Sequence, residues 1–264
     1  EHLLDEARSL EKTLSAGGVP GPLCGVPVGI KDVTPVAGIR TTYGSPLFAN
    51  HVPDEDALVV ERLKAAGALI VGKTNTPEFA AGANTYNKVF GRTRNPWNRE
   101  LSAGGSTGGG AAALASGMIA IAEGTDLGGS LRIPASFCGL VGLRPSSGLV
   151  PAWPTNWLWD DLSVTGPIAR NAEDAALALS VMSGQDPRLP MCQSTVGKDF
   201  VGDTASLQLD GLRLAYSHDV AGIGVDKEIE ECCRNSALGL IDGGATVDPM
   251  DVDLSEGRKA FLHL

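Results

Sequence analysis

Three short runs without a polar side chain, VPVGI at 26–30, ALIVG at 68–72 and IAIA at 119–122, are spaced along the chain with helix-patterned segments between them. A strand wet on one face alternates polar and apolar residues, whereas a run with no polar side chain needs cover on both faces. That requirement points to an α/β fold with its sheet buried between helices. Helical spacing is carried by Leu3, Leu4, Ala7, Leu10 and Leu14, by DEDALVVERLKAAG at 54–67, AAALASGM at 111–118, NAEDAALALSVMSG at 171–184 and DKEIEECCRNSALGLI at 226–241. LCGVPVG, CGLVGLRP and LRLAYS are further strand candidates. The stretch 186–210 is the loosest and reads as a surface excursion within one domain spanning 1–264.

Charge and cysteine usage exclude several functions. A net charge of −10 argues against a broad nucleic-acid or anionic-membrane surface, which needs clustered Lys and Arg. No apolar run reaches 18 residues, and the acidic, amphipathic EHLLDEARSL is unlike a signal peptide. Five cysteines without a CxxC pair suggest neither a disulfide framework nor a zinc site, so the default compartment is a reducing cytoplasm.

Two formal motifs fail on context. GALIVGKT at 67–74 satisfies the Walker A pattern, yet Ala68 to Val71 suit a buried strand, not a loop cradling phosphate. GGSTG at 104–108 satisfies the hydrolase elbow G-x-S-x-G, but the polar, Pro-broken TRNPWNRELSA precedes it where a strand is required. Of the four histidines only His218 and His263 follow, neither in a suggestive setting.

Ser130 in GTDLGGSLRIP follows two glycines, which let a backbone or a ligand approach closely. A solvated Ser-rich turn has the same appearance. Without a histidine, a neutral lysine can activate a serine, given a downward pKa shift of about 3 units, the size that burial supplies. Lys31, at the end of an apolar run, is the candidate; a lysine snorkelling from a strand end, or paired with Asp32, is the plainer alternative.

The blocks GVPVGIKD, GKTNTPEFA, SAGGSTGGGAAALASG, EGTDLGGSLRIPASFCGLVGLRPSSG and GPIAR occur in that order. Together they resemble the amidase signature family, whose members hydrolyse C–N bonds with a Ser–cis-Ser–Lys triad. The resemblance covers essentially the whole chain and is tightest over about 20–170. It implies one α/β domain, a central mixed twisted sheet with helices on both faces, incomplete here because the chain looks truncated at both ends relative to the family. It further implies Ser130 as nucleophile, Ser106 as bridging serine after a cis bond from Gly105, and Lys31 as base. Backbone N–H groups of Leu127, Gly128, Gly129 and Ser130 would form the oxyanion hole.

Thr107 stands where the family commonly has a second serine, and its hydroxyl is expected to support the nucleophile. Asp126 and Arg132 flank the loop, as a structural or a solvated ion pair. Trp153, Trp157 and Trp159 line a substrate entrance or pack beneath a loop, and Cys138 is expected to be a buried small residue. The functional expectation is an amidase acting on a small-molecule amide, or a carbamate or ester, without cofactor, metal, nucleic acid or membrane; a homodimer is left open. The alternatives are the amidase subunit of a glutamyl/aspartyl-tRNA amidotransferase and a nucleotide-binding module at 67–74.

Overall fold

A computed structural model of the chain describes residues 2–220, 222 and 224–263. Its contacts gather into two compact units, 1–205 and 206–264, with the boundary inside the loose stretch 186–210. The first unit runs α1 (His2–Ser15), β1 (Pro27–Lys31), α2 (Leu58–Ala65), β2 (Leu69–Thr74), β3 (Tyr86–Asn87), β4 (Gly91–Arg92), α3 (Gly108–Ala115), β5 (Ile121–Asp126), α4 (Arg132–Cys138), β6 (Val141–Gly142), β7 (Val164–Ala169), α5 (Ala172–Met182) and α6 (Phe200–Ala205). The second holds β8 (Arg213–Tyr216), α7 (Lys227–Gly239), β9 (Thr246–Pro249) and α8 (Gly257–Phe261), with β8 and β9 paired in parallel. No described helix is long and apolar enough to cross a membrane.

The first unit is built on a five-stranded sheet of order β2-β1-β5-β7-β6. Its β2, β1 and β5 are parallel, and β7 runs antiparallel to both β5 and β6, so the sheet is mixed. The runs at 26–30 and 119–122 supply the buried strands β1 and β5, whereas the run at 68–72 becomes the edge strand β2, where Ile70 is buried but Val71 is exposed, contrary to the expectation of a buried strand there. Val28 and Ile30 of β1 pack with Val60 and Leu63 of α2 and with Leu179 and Met182 of α5. Ala122 of β5 and Ile168 of β7 pack with Ala111 and Leu114 of α3, with Leu131 just before α4 and with Ala135 within it. Each fully buried Leu or Ile contributes about 1.5–3 kcal/mol.

Local signals set the helix ends. The Asn171 side chain accepts from the Asp174 amide at 2.7 Å, and Glu173 and Asp174 occupy the first turn of α5. The glycines of α3 allow close packing: a Cβ on Gly109 would lie 2.2 Å from the Asn75 amide nitrogen. One feature departs from the local sequence pattern. Gly166-Pro167 has the local chemistry of a turn, yet both residues lie within β7, buried along its length, where the Pro167 carbonyl accepts from the Leu143 amide at 3.1 Å. Proline only removes a donor, and its carbonyl still serves the sheet. Residues 69–74 of the Walker-like segment are strand β2, paired to β1 from Leu69 to Thr74, so their backbone is engaged in the sheet.

Candidate active site

Lys31 is the last residue of β1, and the buried sheet brings its side chain fully out of solvent. Its Nζ lies 2.7 Å from Ser106 Oγ and 2.8 Å from Thr125 Oγ1. Burial lowers its pKa from 10.5 to about 7, against the opposing attraction of Glu123 and Asp126. A neutral amine there can accept the Ser106 hydroxyl proton while donating to Thr125. Asp32 gives Lys31 no ion pair; its carboxylate accepts from the Thr42 amide at 3.0 Å and from the Thr42 hydroxyl. Asp32, the first residue after β1, lies in a turn that directs its carboxylate to Thr42.

Ser106 and Thr107 are completely buried in the loop before α3, and the Gly105–Ser106 peptide is cis. The Thr107 amide donates to the Ser130 carbonyl at 3.2 Å, joining this loop to the glycine turn after β5. The Thr107 hydroxyl, expected to support the nucleophile, instead reaches the Thr125 carbonyl at 3.5 Å. Ser130 is half-buried at the turn that leads into α4.

Asp126 organises that turn. Its carboxylate, fully buried, accepts from the amides of Gly129 at 2.8 Å and Leu131 at 3.1 Å. Arg132 meets it through two nitrogens at 3.0 Å each, and Arg144 adds a contact at 3.2 Å. Burial alone would raise the carboxyl pKa; the hydrogen bonds from Arg132, Gly129 and Leu131 outweigh it and hold the group well below the usual range. The pair is buried on one side only: the carboxylate is out of solvent while the Arg132 side chain is 54% exposed. One expectation is corrected here: the Gly129 amide is occupied by Asp126 Oδ1 and is not an oxyanion donor in this geometry. Gly129 is suited to its position through its backbone, with φ at +106°. The amides of Leu127, Gly128 and Ser130 remain, with Leu127 and Gly128 exposed.

Sequence reasoning missed Thr125, Glu123 and Arg144. All three lie in the block EGTDLGGSLRIPASFCGLVGLRPSSG, where strand alternation puts Glu123 and Thr125 on one side of β5. Glu123 is fully buried and accepts from the Lys31 amide at 3.0 Å and the Thr34 hydroxyl at 2.9 Å.

A cleft of about 200 Å³ opens beside Thr125, lined among others by Thr165, Trp157, Leu158, Met191 and Cys192. Of the three loop tryptophans Trp157 lines it, Trp153 lies under the Arg188 guanidinium at 5.3 Å, and Trp159 is exposed. Cys138 is buried as expected, its thiol pushed up to about 11 by burial. Among the described residues no group of three or more His, Cys, Asp or Glu could hold a metal ion.

The family model Amidase matches residues 1–261. A glutamyl-tRNA(Gln) amidotransferase subunit of Oleidesulfovibrio alaskensis is 42% identical over 263 residues, 99% of this chain and 53% of that protein. The crystal structure of the corresponding glutamyl-tRNA(Gln) amidotransferase subunit from Thermotoga maritima matches with a TM-score of 0.79 at 35% identity, over 88% of this chain and 51% of that one. A bacterial aryl acylamidase of the amidase signature enzymes matches with a TM-score of 0.89 at 30% identity, over 98% of this chain and 54% of that one. The chain thus spans about half the length of the relatives it matches.

Proposed function

The chain belongs to the amidase family, and on that premise we propose that it cleaves the C–N bond of an amide through an acyl-enzyme on Ser130. The observation that carries the reading is the desolvated Lys31 amine, 2.7 Å from the buried Ser106 hydroxyl. Ser130 Oγ attacks the carbonyl carbon as its proton passes to Ser106 Oγ and the Ser106 proton passes to Lys31 Nζ. The resulting oxyanion takes hydrogen bonds from the amides of Leu127, Gly128 and Ser130, each worth roughly 2.7–4 kcal/mol of barrier. On collapse the Lys31 proton returns through Ser106 to the leaving nitrogen, the amine departs, and the acyl group stays as an ester on Ser130. Water repeats the cycle and releases the acid. Carbamates and esters present the same electrophilic carbonyl and fall within reach of the same steps. The cleft beside Thr125, with Trp157 and Leu158 in its wall, supports a small-molecule substrate with an apolar group.

Intact mass after incubation with a serine-reactive fluorophosphonate tests the triad. One adduct is expected on the folded chain, lost in Ser130→Ala and slowed in Ser106→Ala and Lys31→Ala. An adduct that survives Ser130→Ala overturns the assignment.

The 42% identity to an amidotransferase component supports a second reading, in which the amide is glutamine and the released ammonia serves a partner protein. Glutaminase activity that depends on added partner proteins would favour it. Turnover of anilides by the chain alone would favour the stand-alone hydrolase.

A further inference from the structure

The pairing of β1 with β5 stops after Val28–Ile121 and Gly29–Ala122. Beyond it the Lys31 amide has no strand partner on that side and takes Glu123 Oε2 at 3.0 Å. Glu123 Oε1 accepts the Thr34 hydroxyl at 2.9 Å; burial pushes this carboxyl's pKa up, and the hydrogen bonds from Thr34 and the Lys31 amide and the charges of Lys73 and Lys31 oppose that and favour the carboxylate. Thr34 is held at its other end too: Lys73 Nζ, reaching from β2, donates to the Thr34 carbonyl. Buried Lys31 and half-buried Lys73 thus reach one buried carboxylate through the turn 31–34, Lys31 by its main-chain amide and Lys73 by way of Thr34, whose amide donates to the Lys31 carbonyl at 3.0 Å.

A buried carboxylate needs a positive charge nearby. If Lys31 supplied it, Lys31 would be an ammonium and could not take a proton from Ser106. We propose that the charge of Lys73, linked to Glu123 through Thr34 and not by a direct ion pair, balances the Glu123 carboxylate and so leaves Lys31 free to accept a proton, both acting as positioning residues for Lys31. The proposal rests on the Lys31–Ser106–Ser130 reading above. The other charged groups facing Lys31 and Lys73 are Asp126, answered by Arg132 and Arg144, and Asp32, bonded by Thr42. The strand β7 (VTGPIA) and the helix α3 (GGGAAALA) bring no ionisable side chain. The division of charge agrees with the two environments: burial brings Lys73 down only to about 8, while Lys31 falls to about 7.

The test is the pH profile of the rate at which the fluorophosphonate labels Ser130. The acid limb should lie near pH 7 in the wild type. In Glu123→Gln it should move down by about one pH unit or more, and in Lys73→Met up by a similar amount, because an opposite charge at this range favours the ammonium. Lys73→Arg, which keeps the charge, should restore the wild-type limb, and the double variant Glu123→Gln/Lys73→Met should return towards it. Slower labelling with unmoved limbs would overturn the proposal and leave both residues as packing. A titration of the wild-type chain carrying ¹³Cε-labelled lysine decides the same point without these single variants: Lys31 must lose its proton at lower pH than Lys73, and the reverse order overturns the proposal. If no adduct forms on folded wild type, the Ser130 reading fails while the lysine titration still decides the order of the two amines.

Discussion

Replacing Lys31 with methionine should stabilise the protein at neutral pH while stopping the chemistry. The fall of the Lys31 pKa from 10.5 to about 7 corresponds to about 4–5 kcal/mol of folding free energy, at 1.36 kcal/mol per pH unit. Methionine is unbranched and of similar length, so it fills the same space without opening a cavity. It does remove the partner of two hydroxyls, Ser106 Oγ and Thr125 Oγ1, at about 1–1.5 kcal/mol each. The Lys31 amide still serves Glu123, because that bond is made by the main chain. The net gain at pH 7 is about 1–2 kcal/mol, a rise in Tm of about 2–8 °C for a unit of this size. The sign changes with pH. Unfolded Lys31 holds its proton up to about pH 10.5 and folded Lys31 only to about 7, so between these values the unfolded state binds more protons and wild-type stability climbs. The advantage of Lys31→Met is therefore full below pH 7, shrinks above it, and reverses near about pH 9, where the two lost hydrogen bonds outweigh it. Thermal unfolding of both proteins from pH 6 to 10 measures this directly. A variant less stable than wild type at pH 6, or a difference that does not change with pH, would refute the desolvated lysine and with it the neutral base.

Three further outcomes follow from the same geometry. Asp126→Asn leaves an amide NH₂ facing donors that now meet carboxylate oxygens, and should lower stability by about 3–5 kcal/mol in urea titration, with slower labelling of Ser130; because the folded pKa of Asp126 is depressed, its contribution in the wild type is present above about pH 4 and fades on acidification below it. Thr125→Val keeps the shape of β5 but removes a partner of Lys31 Nζ, so fluorophosphonate labelling of Ser130 should slow about tenfold, the equivalent of one hydrogen bond, with circular dichroism unchanged. Gly109→Ala would drive a methyl group into the Asn75 backbone, and its midpoint in urea should fall by the equivalent of about 1–3 kcal/mol.

The strands at 27–31, 69–74 and 121–126 and the helix at 172–182 were legible because their signals are local: apolar runs, an Asn cap, an acidic first turn. The strand at 164–169 was not, because its Gly-Pro has the local chemistry of a turn and only its neighbours in the sheet make it a strand. At the site, the order of the motif blocks pointed to Lys31, Ser106 and Ser130, and the glycine turn to Asp126 and Arg132 beside it; the structure brings Lys31 and Ser106 together and pairs Asp126 with Arg132. The sequence alone therefore determined which side chains with the right chemistry are present, and which of them lie in glycine-rich turns. Only the tertiary structure decided what state they are in. Lys31, Ser106 and Thr125 meet across separations of 75 and 94 residues, the Asp126 carboxylate takes the Gly129 amide, which the resemblance implied as an oxyanion donor, and Glu123 enters the gap where two strands part. Desolvation and charge pairing belong to the packed interior as a whole, so no local stretch of sequence encodes them.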